Sequence, residues 1–104
     1  MTNVLLCCTA GITTSLLVGK LQAEIAARGL DMQVEACPLA EAVDRLDATD
    51  LMLLGPQVAY AKGDFEQAAS EHAARVGVIT PDDYARMNAS GIVDEALSYL
   101  SQEA

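Results

Sequence analysis

Two adjacent cysteines, Cys7 and Cys8, end a short apolar run and are followed by small residues, a glycine and three successive hydroxyl side chains. A cysteine thiolate is a strong nucleophile, and small residues after it let backbone N–H groups turn towards a common centre. The first turn of a following helix adds unpaired N–H groups and the positive end of the helix dipole. Such a cradle binds an anion without basic side chains and favours the thiolate. The segment therefore predicts a reactive thiol that handles a phosphoryl group.

Cys8 is the better candidate nucleophile of the two. It lies at the exit of the predicted strand, where a side chain can face the cradle. Cys7 lies one residue earlier, and on a pleated strand it points to the opposite face, so we predict that it belongs to the core. The residues leave open that Cys8 is also only a small buried hydrophobic residue, a common role for a cysteine after a strand.

The loop lacks the arginine that a phosphatase of this kind needs. Low-molecular-weight tyrosine phosphatases, and the thiol arsenate reductases of that fold, carry an arginine six positions after the cysteine, where it binds the transferring group bidentately. Here Thr14 lies at that spacing from Cys8, and Thr13 from Cys7. Charge stabilisation for hydrolysis is therefore missing, which favours a cysteine that accepts an activated phosphoryl group and keeps it.

Alternating apolar runs and helical patterns must position this loop. The near-continuous hydrophobicity of the runs is typical of strands covered on both faces, as in a parallel sheet. The predicted fold is α/β, a small open parallel sheet of four strands with helices on both faces, in a single domain over residues 1–104. The predicted strands are Asn3–Cys7, Met32–Ala36, Leu51–Leu54 and Arg75–Ile79, and the predicted helices are Thr13–Arg28, Pro38–Leu46, Val58–Ala74 and Ser90–Ser101.

Ligands of such sheets bind beyond the carboxyl ends of the strands, where two further loops supply candidate contacts. Gly55, Pro56 and Gln57 follow the third strand, either as the start of a helix with an early proline or as a contact to the cysteine site or a partner. Tyr84 follows the fourth strand and either closes over Cys8 or only packs there. A small docking surface is predicted from apolar residues around these loops, such as Ile12, Val58 and Tyr60.

The charge balance excludes several classes of partner. Six Lys and Arg stand against fifteen Asp and Glu, a formal net charge of −9, which repels nucleic acid and anionic membranes.

No stretch reaches the roughly 20 apolar residues of a transmembrane helix, and the chain does not open with a signal-peptide pattern. Three cysteines, an odd number, make a disulfide framework improbable. The expected location is the cytoplasm, with reduced thiols.

Two more residues could take part in chemistry. His72, late in a helical pattern, is predicted to be a solvated or helix-end histidine rather than a phosphohistidine or base. Cys37, at the carboxyl end of the second predicted strand, is predicted to be structural, with a resolving-thiol role beside Cys8 as the alternative. No pair of His or Cys residues has metal-ligand spacing, so we predict no metal site. We also expect no cofactor.

Three segments together resemble one protein family. LLCCTAGITTSLLVGKL resembles the active-site segment of the enzyme IIB components of the lactose/cellobiose/chitobiose class of the bacterial phosphotransferase system. Those components usually read Cys-Ser-Ala-Gly-Met-Ser-Thr-Ser-Leu-Leu after an apolar strand, so Thr9, Ile12 and Thr13 are conservative replacements. DLMLLGPQVAY is similar to the family's third strand and Gly-Pro-Gln loop, and VGVITPDDYARMNASGIVDEAL is similar to its last strand, Tyr-containing loop and closing helix. The likeness extends over essentially the whole chain.

The resemblance implies a four-stranded sheet of the low-molecular-weight phosphatase-like or IIB type, and a phosphocarrier role. In the family, the loop cysteine takes a phosphoryl group from a phosphohistidine on enzyme IIA and passes it to a sugar held by the membrane permease IIC. The phosphocysteine would be Cys8, in a chain that touches the inner face of the membrane through IIC and needs no dimer. The alternatives are a thiol-dependent reductase or phosphatase-like enzyme, and a regulatory interaction domain of the same fold; the sugar stays open. The implied phosphate-binding residues are Thr9, Ala10, Gly11, Ile12, Thr13, Thr14 and Ser15.

Overall fold

A parallel four-stranded sheet with helices on both faces organises the structure, a computed structural model that describes residues 2–8, 12–70, 72 and 74–101. The strands are β1 (Thr2–Cys8), β2 (Met32–Pro38), β3 (Leu51–Leu54) and β4 (Arg75–Val78). The α-helices are α1 (Ile12–Ala27), α2 (Leu39–Ala42), α3 (Lys62–Ala69), α4 (Pro81–Ala85) and α5 (Ala89–Ser101). Two 3₁₀ helices lie at Val43–Ala48 and Pro56–Ala61. The predicted α/β fold is confirmed.

The strand order β2-β1-β3-β4 places β1 inside the sheet. Cys7 lies in register with Cys37 of β2 on one side and with Leu54 of β3 on the other. After β2 the chain crosses back past β1 to form β3, so the direction of the connections reverses between β1 and β3. Such a reversal opens a crevice beyond the carboxyl ends of the two strands. We call the edge of the sheet at which all four strands end the carboxyl rim.

Two separate hydrophobic cores cover the two faces of the sheet, because side chains alternate along each inner strand. On one face, α1 and α5 pack on Val4 and Leu6 of β1 and on Leu51 and Leu53 of β3. The other face, with Leu5, Cys7, Met52 and Leu54, is covered by α2, the 3₁₀ helices and α3. Both inner strands are therefore buried on both sides, as their unbroken hydrophobicity predicts.

The segment after β3 departs from the predicted helix over Val58–Ala74. The structure has the 3₁₀ helix Pro56–Ala61 followed by α3, with a break at Val58, where φ is −117° and ψ is 18°. Val58 is only 1% exposed and belongs to the second core. Packing this side chain against the sheet takes precedence over helical periodicity. The predicted helix Pro38–Leu46 likewise divides, because the chain tightens from α2 into 3₁₀ turns after Ala42.

A short helix, α4, lies inside the connection Thr80–Asn88, for which the sequence predicts only a loop. Its start has ordinary signals, since the Thr80 hydroxyl accepts a hydrogen bond of 3.4 Å from the Asp83 amide and Pro81 occupies the first helical position. The helix has five residues, too few for a hydrophobic period to be recognised. It ends before Met87, which has a positive φ of 49°.

Close packing of α5 on β4 depends on a glycine. A Cβ atom built on Gly77 would overlap the ring of Tyr99, with Cζ at 2.7 Å. The Tyr99 hydroxyl accepts a 3.4 Å hydrogen bond from the Val78 amide. The ring therefore lies directly over the edge strand, and only a residue without a side chain fits beneath it.

Candidate functional site

The predicted nucleophile lies at the switch point of the sheet. Cys8 is the last residue of β1, and α1 begins at Ile12. Most of the remaining residues of the predicted cradle lie, wholly or with their side chains, outside the part of the chain that the structure describes. Thr9, Ala10 and Gly11 lie outside the described residues, as do the side chains of Cys8, Ile12, Thr13 and Thr14; Ser15 is exposed. The roles assigned to these residues therefore stay predictions.

The start of α1 gives the carboxyl rim a favourable field for an anion. The helix has 16 residues, and its first turn contains no acidic residue. The positive end of its dipole and its unpaired N–H groups thus lie four positions after Cys8, without a carboxylate in that turn to offset them. Backbone groups are the expected source of anion binding at this position.

Gly55, Pro56 and Gln57 reach the same rim from β3. The Gly55 amide donates a 2.8 Å hydrogen bond to the Cys7 carbonyl, and the Val58 amide donates to the Gly55 carbonyl at 3.0 Å. Pro56 begins the 3₁₀ helix, so the helix-start interpretation is confirmed. Gln57 is exposed on this helix, and its predicted contact with the site or with a partner stays a prediction.

Tyr84 lies in α4 on the connection that follows β4. Its side chain is half-buried and packs against the core between the sheet and the α1–α5 pair. Packing is thus one role of this tyrosine. Its closure over Cys8 stays a prediction.

The other two cysteines are buried in the second core, which confirms the structural role predicted for Cys7. Cys7 is 0% and Cys37 is 5% exposed. Burial raises the pKa of the Cys37 thiol, although the nearby Arg45 opposes this, and its Sγ donates to the Pro38 carbonyl at 3.4 Å. A buried thiol that holds its proton is a poor resolving nucleophile, so Cys37 is better described as a core residue.

Two residues that were candidates for chemistry or docking, His72 and Val58, do not lie on the surface of the carboxyl rim. His72 is exposed and lies between α3 and the amino end of β4, at the edge of the sheet opposite the rim. Val58 is buried, so its predicted place in a docking surface is wrong. Tyr60, two residues further on, is 80% exposed and does present an apolar surface beside the rim.

Near the carboxyl end of β4, the structure brings together the carboxyl groups of Glu95 and Asp83, a pair that we did not predict from the sequence. One oxygen of Glu95, Oε2, is buried without a hydrogen-bond partner among the described residues. Burial raises the pKa of Glu95, the neighbouring Asp83 raises it further, and hydrogen bonding with Thr80 opposes the shift. The two acids lie twelve positions apart on different helices, so no local pattern could have revealed the pair.

The described residues contain neither a membrane-spanning helix nor a metal centre. No helix within them combines the length and hydrophobicity needed to cross a bilayer. Within the same part of the chain, no group of three or more His, Cys, Asp or Glu residues is arranged to hold a metal ion.

Comparison with known protein families gives one match that spans most of the chain. Residues 3–95 match the family described as PTS system, Lactose/Cellobiose specific IIB subunit. The galactose-specific EIIB component of Lactococcus lactis subsp. cremoris is 36% identical over 103 residues, 94% of this chain and 95% of that protein. The cellobiose-specific component of Lactococcus lactis subsp. lactis gives the same values. The oligo-beta-mannoside-specific component of Bacillus subtilis is 28% identical over 100 residues, 96% of this chain and 97% of that protein.

Solved structures agree with this match. The solution structure of the cellobiose-specific IIB component of Borrelia burgdorferi superposes with a TM-score of 0.77 at 26% identity, covering 95% of this chain and 91% of that one. The lactose-specific IIB domain of Streptococcus pneumoniae gives a TM-score of 0.85 at 16% identity, covering 97% and 98%. The latter likeness shows the fold.

Proposed function

Because the chain belongs to the lactose/cellobiose-specific IIB family of the phosphotransferase system, we propose that it is a phosphocarrier in which Cys8 carries the phosphoryl group. Phosphoryl transfer during sugar uptake is the general role of the family, with enzyme IIA and permease IIC as its general partners. The finer proposal is that Cys8 takes the group from a phosphohistidine of IIA and passes it to a sugar bound by IIC. The chain then associates with the membrane only transiently, through IIC.

Two displacements make up this cycle. The Cys8 thiolate attacks the phosphorus of the phosphohistidine, so that a P–S bond forms, the P–N bond breaks and the imidazole leaves. A sugar hydroxyl next attacks the same phosphorus, the P–S bond breaks and the thiolate is released, while the hydroxyl proton passes to a base or to water. Cys8 ends the cycle in its starting state, so no external reductant or cofactor is consumed.

The position of Cys8 is the observation that supports this proposal most. It ends an inner strand at the switch point of the sheet, and α1 starts four residues later with no acid in its first turn. Backbone N–H groups of residues 9–15 are proposed to hold the phosphoryl oxygens, since this loop contains no Lys or Arg. Gln57 and Tyr84 are proposed as contacts at its border.

A redox role for the thiols has less support. The natural resolving partner for Cys8 would be Cys37, but that side chain is buried in the second core and its pKa is raised. The sugar itself is proposed to be chosen by IIC. The three relatives compared above bear three different sugar names, as expected if the carrier itself does not select the sugar.

The test is phosphorylation by the natural donor chain. The protein is mixed with phosphoenolpyruvate, the general phosphotransferase proteins and a cognate IIA, and intact and peptide masses are measured. One added phosphoryl group on Cys8 is expected, absent in Cys8→Ser and retained in the matched variants Cys7→Ala and Cys37→Ala. An unmodified chain beside an IIA that is itself phosphorylated would rule out the proposal, as would label on either other cysteine.

A further inference from the structure

Charged side chains are distributed unevenly along the carboxyl rim. The segments that follow the inner strands β1 and β3 contain no charged residue over positions 9–19 and 55–61. The helices that follow the outer strands have acids in their first turns, namely Glu41 in α2 and Asp82 and Asp83 in α4. The rim therefore has an uncharged centre around the end of β1 and an acidic flank on each side.

Large apolar side chains are exposed along the uncharged centre. Tyr60, in the 3₁₀ helix after β3, is 80% exposed, and Leu16, in the second turn of α1, is 55% exposed. These are two of the three large hydrophobic residues exposed in the described part of the chain; the third, Val43, follows α2. Each of these two residues lies in a segment that leaves an inner strand at the rim. A large apolar side chain that is exposed next to an uncharged surface is suited to contact with another protein, and tyrosine is a frequent anchor of such contacts.

The acidic flanks restrict which protein face can dock here. A chain of net charge −9 is repelled by the anionic inner leaflet of a membrane, yet the second transfer takes place at a membrane protein. The cytoplasmic loops of membrane proteins carry an excess of Lys and Arg. A basic protein surface set in the membrane therefore complements an acidic flank, whereas no such general rule makes a soluble donor basic.

From these observations, and resting on the proposed phosphocarrier function, we infer that the carboxyl rim docks on the cytoplasmic face of IIC through its acidic flanks. Tyr60 and Leu16 contact apolar residues near the sugar site, while Glu41 and Asp82 face Lys and Arg side chains of the permease loops. Both acids are exposed, and the Asp82 carboxylate forms a surface ion pair of 3.2 Å with Arg86. The alternative is that the same acidic residues bind IIA instead of IIC.

The test separates the two transfers. The double variant Glu41→Lys/Asp82→Lys is compared with Asp31→Lys/Asp47→Lys, which makes the same change in net charge at exposed positions close to the amino ends of β2 and β3. Phosphorylation by IIA is followed by mass, and transfer to labelled sugar is followed with membrane vesicles that contain the cognate IIC. Both are measured at low and high salt, after circular dichroism has shown that each variant is folded.

The rim variant is expected to need about tenfold more protein than the control pair for half-maximal transfer to sugar at low salt. Its phosphorylation by IIA should match the control, and high salt should remove the difference because it screens the flanks. Equal behaviour of the two pairs at the sugar step would overturn the inference. So would a loss confined to the IIA step, which would assign the flanks to the donor. A wild-type chain that is never phosphorylated instead contradicts the proposed function, so the two failures are distinguishable.

A separate variant tests the apolar part of the proposed docking surface. Tyr60→Ser removes the exposed ring, and Val43→Ser removes the exposed side chain that follows α2 rather than an inner strand. We expect Tyr60→Ser to slow transfer to sugar at low and at high salt, because apolar contact is not screened by ions. Transfer that equals that of Val43→Ser would remove Tyr60 from the docking surface.

Discussion

The Gly55 amide donates a 2.8 Å hydrogen bond to the carbonyl of Cys7, and this bond fastens the loop after β3 to the strand that carries the proposed nucleophile. Gly55 is the residue before the 3₁₀ helix on which Gln57 and Tyr60 are exposed. The end of β1 and the apolar part of the rim are therefore held at a fixed spacing by backbone groups. The exposed side chains on this helix can therefore vary without moving the strand end.

Alkylation should distinguish Cys8 from the two core cysteines. In the native protein at neutral pH, iodoacetamide is expected to modify Cys8 first. Cys7 and Cys37 should react at least about tenfold more slowly, because alkylation of either buried thiol requires local unfolding. Burial raises the pKa of Cys37, so its modification should still be increasing at a pH where that of a free thiol has levelled off. Peptide mass spectrometry over time gives the three rates.

The control for alkylation is the denatured chain, in which all three cysteines should react at similar rates. Native Cys37 reacting as fast as Cys8 would contradict the core assignment. It would also return the thiol-redox alternative to consideration.

Gly77→Ala should destabilise the fold by about 1–3 kcal/mol, because the new methyl group overpacks the joint between β4 and the ring of Tyr99. Gly19→Ala is the matched control. Nothing lies within 4 Å of a Cβ at that helical position, so the exchange should stabilise the protein by about 0.5–1 kcal/mol. Urea unfolding of both variants gives the two free energies, and shifts of the same sign would refute the close packing.

Glu95→Gln should change how stability depends on pH. The pKa of Glu95 is raised in the folded chain, so between its unfolded value of about 4.3 and its folded value the native state binds more protons than the unfolded state. The free energy of unfolding therefore falls as the pH rises through this window. Glutamine carries no charge and can donate to Asp83, so the Tm advantage of the variant over wild type should grow with pH and then level off.

Glu66→Gln, at an exposed position of α3, removes the same charge and serves as the control for Glu95→Gln. Its Tm difference from wild type should stay flat over the same pH range. A parallel course of the two variants would mean that the acid pair near Thr80 does not form.

Arg28→Met should lower the Tm by a few degrees, whereas Arg86→Met should leave it nearly unchanged. The Arg28 guanidinium joins the end of α1 to α5, with 2.7 Å to Glu24, 2.8 Å to Asp94 and further bonds to Ser90. The Arg86 pair with Asp82 is local to one helical turn and largely exposed, a type of pair that contributes little. Thermal unfolding of both variants at low salt makes the comparison; an equal effect would show that Arg28 does not bridge the helices.

The inner strands were predictable from the sequence, since the central residues of an inner parallel strand form an unbroken apolar run. The predicted and observed bounds of β3 are the same, and those of β1 differ by one residue at each end. The segment after β3 was not predictable, because the break at Val58 is set by the core it enters rather than by its neighbours in sequence. The same reason applies to Glu95 and Asp83, which meet only once α4 and α5 have packed.

The candidate residues of the site could be predicted from a sequence motif, but their arrangement in space could not. A cysteine before small residues and a helix indicates an anion cradle, and the alternation of strands and helices indicates that the loops at Cys8 and Gly55 share one edge. That their strands are direct neighbours is decided by a long-range crossover. The strand order 2-1-3-4 cannot be read from local periodicity.

In the proposed cycle, the burial of β1 also determines how the phosphoryl group can move from donor to acceptor. Residues Val4 to Cys7 are at most 2% exposed, and the strand is hydrogen-bonded to a neighbour along both edges. In the proposed cycle, the backbone of Cys8 is fixed at the end of this strand, unlike that of a group attached to a long flexible tether. Delivery from the proposed donor to the proposed acceptor then requires the whole domain to move and reorient. Because both proposed partners approach the same end of one rigid strand, they occupy it in turn, and the carrier leaves the first before it serves the second.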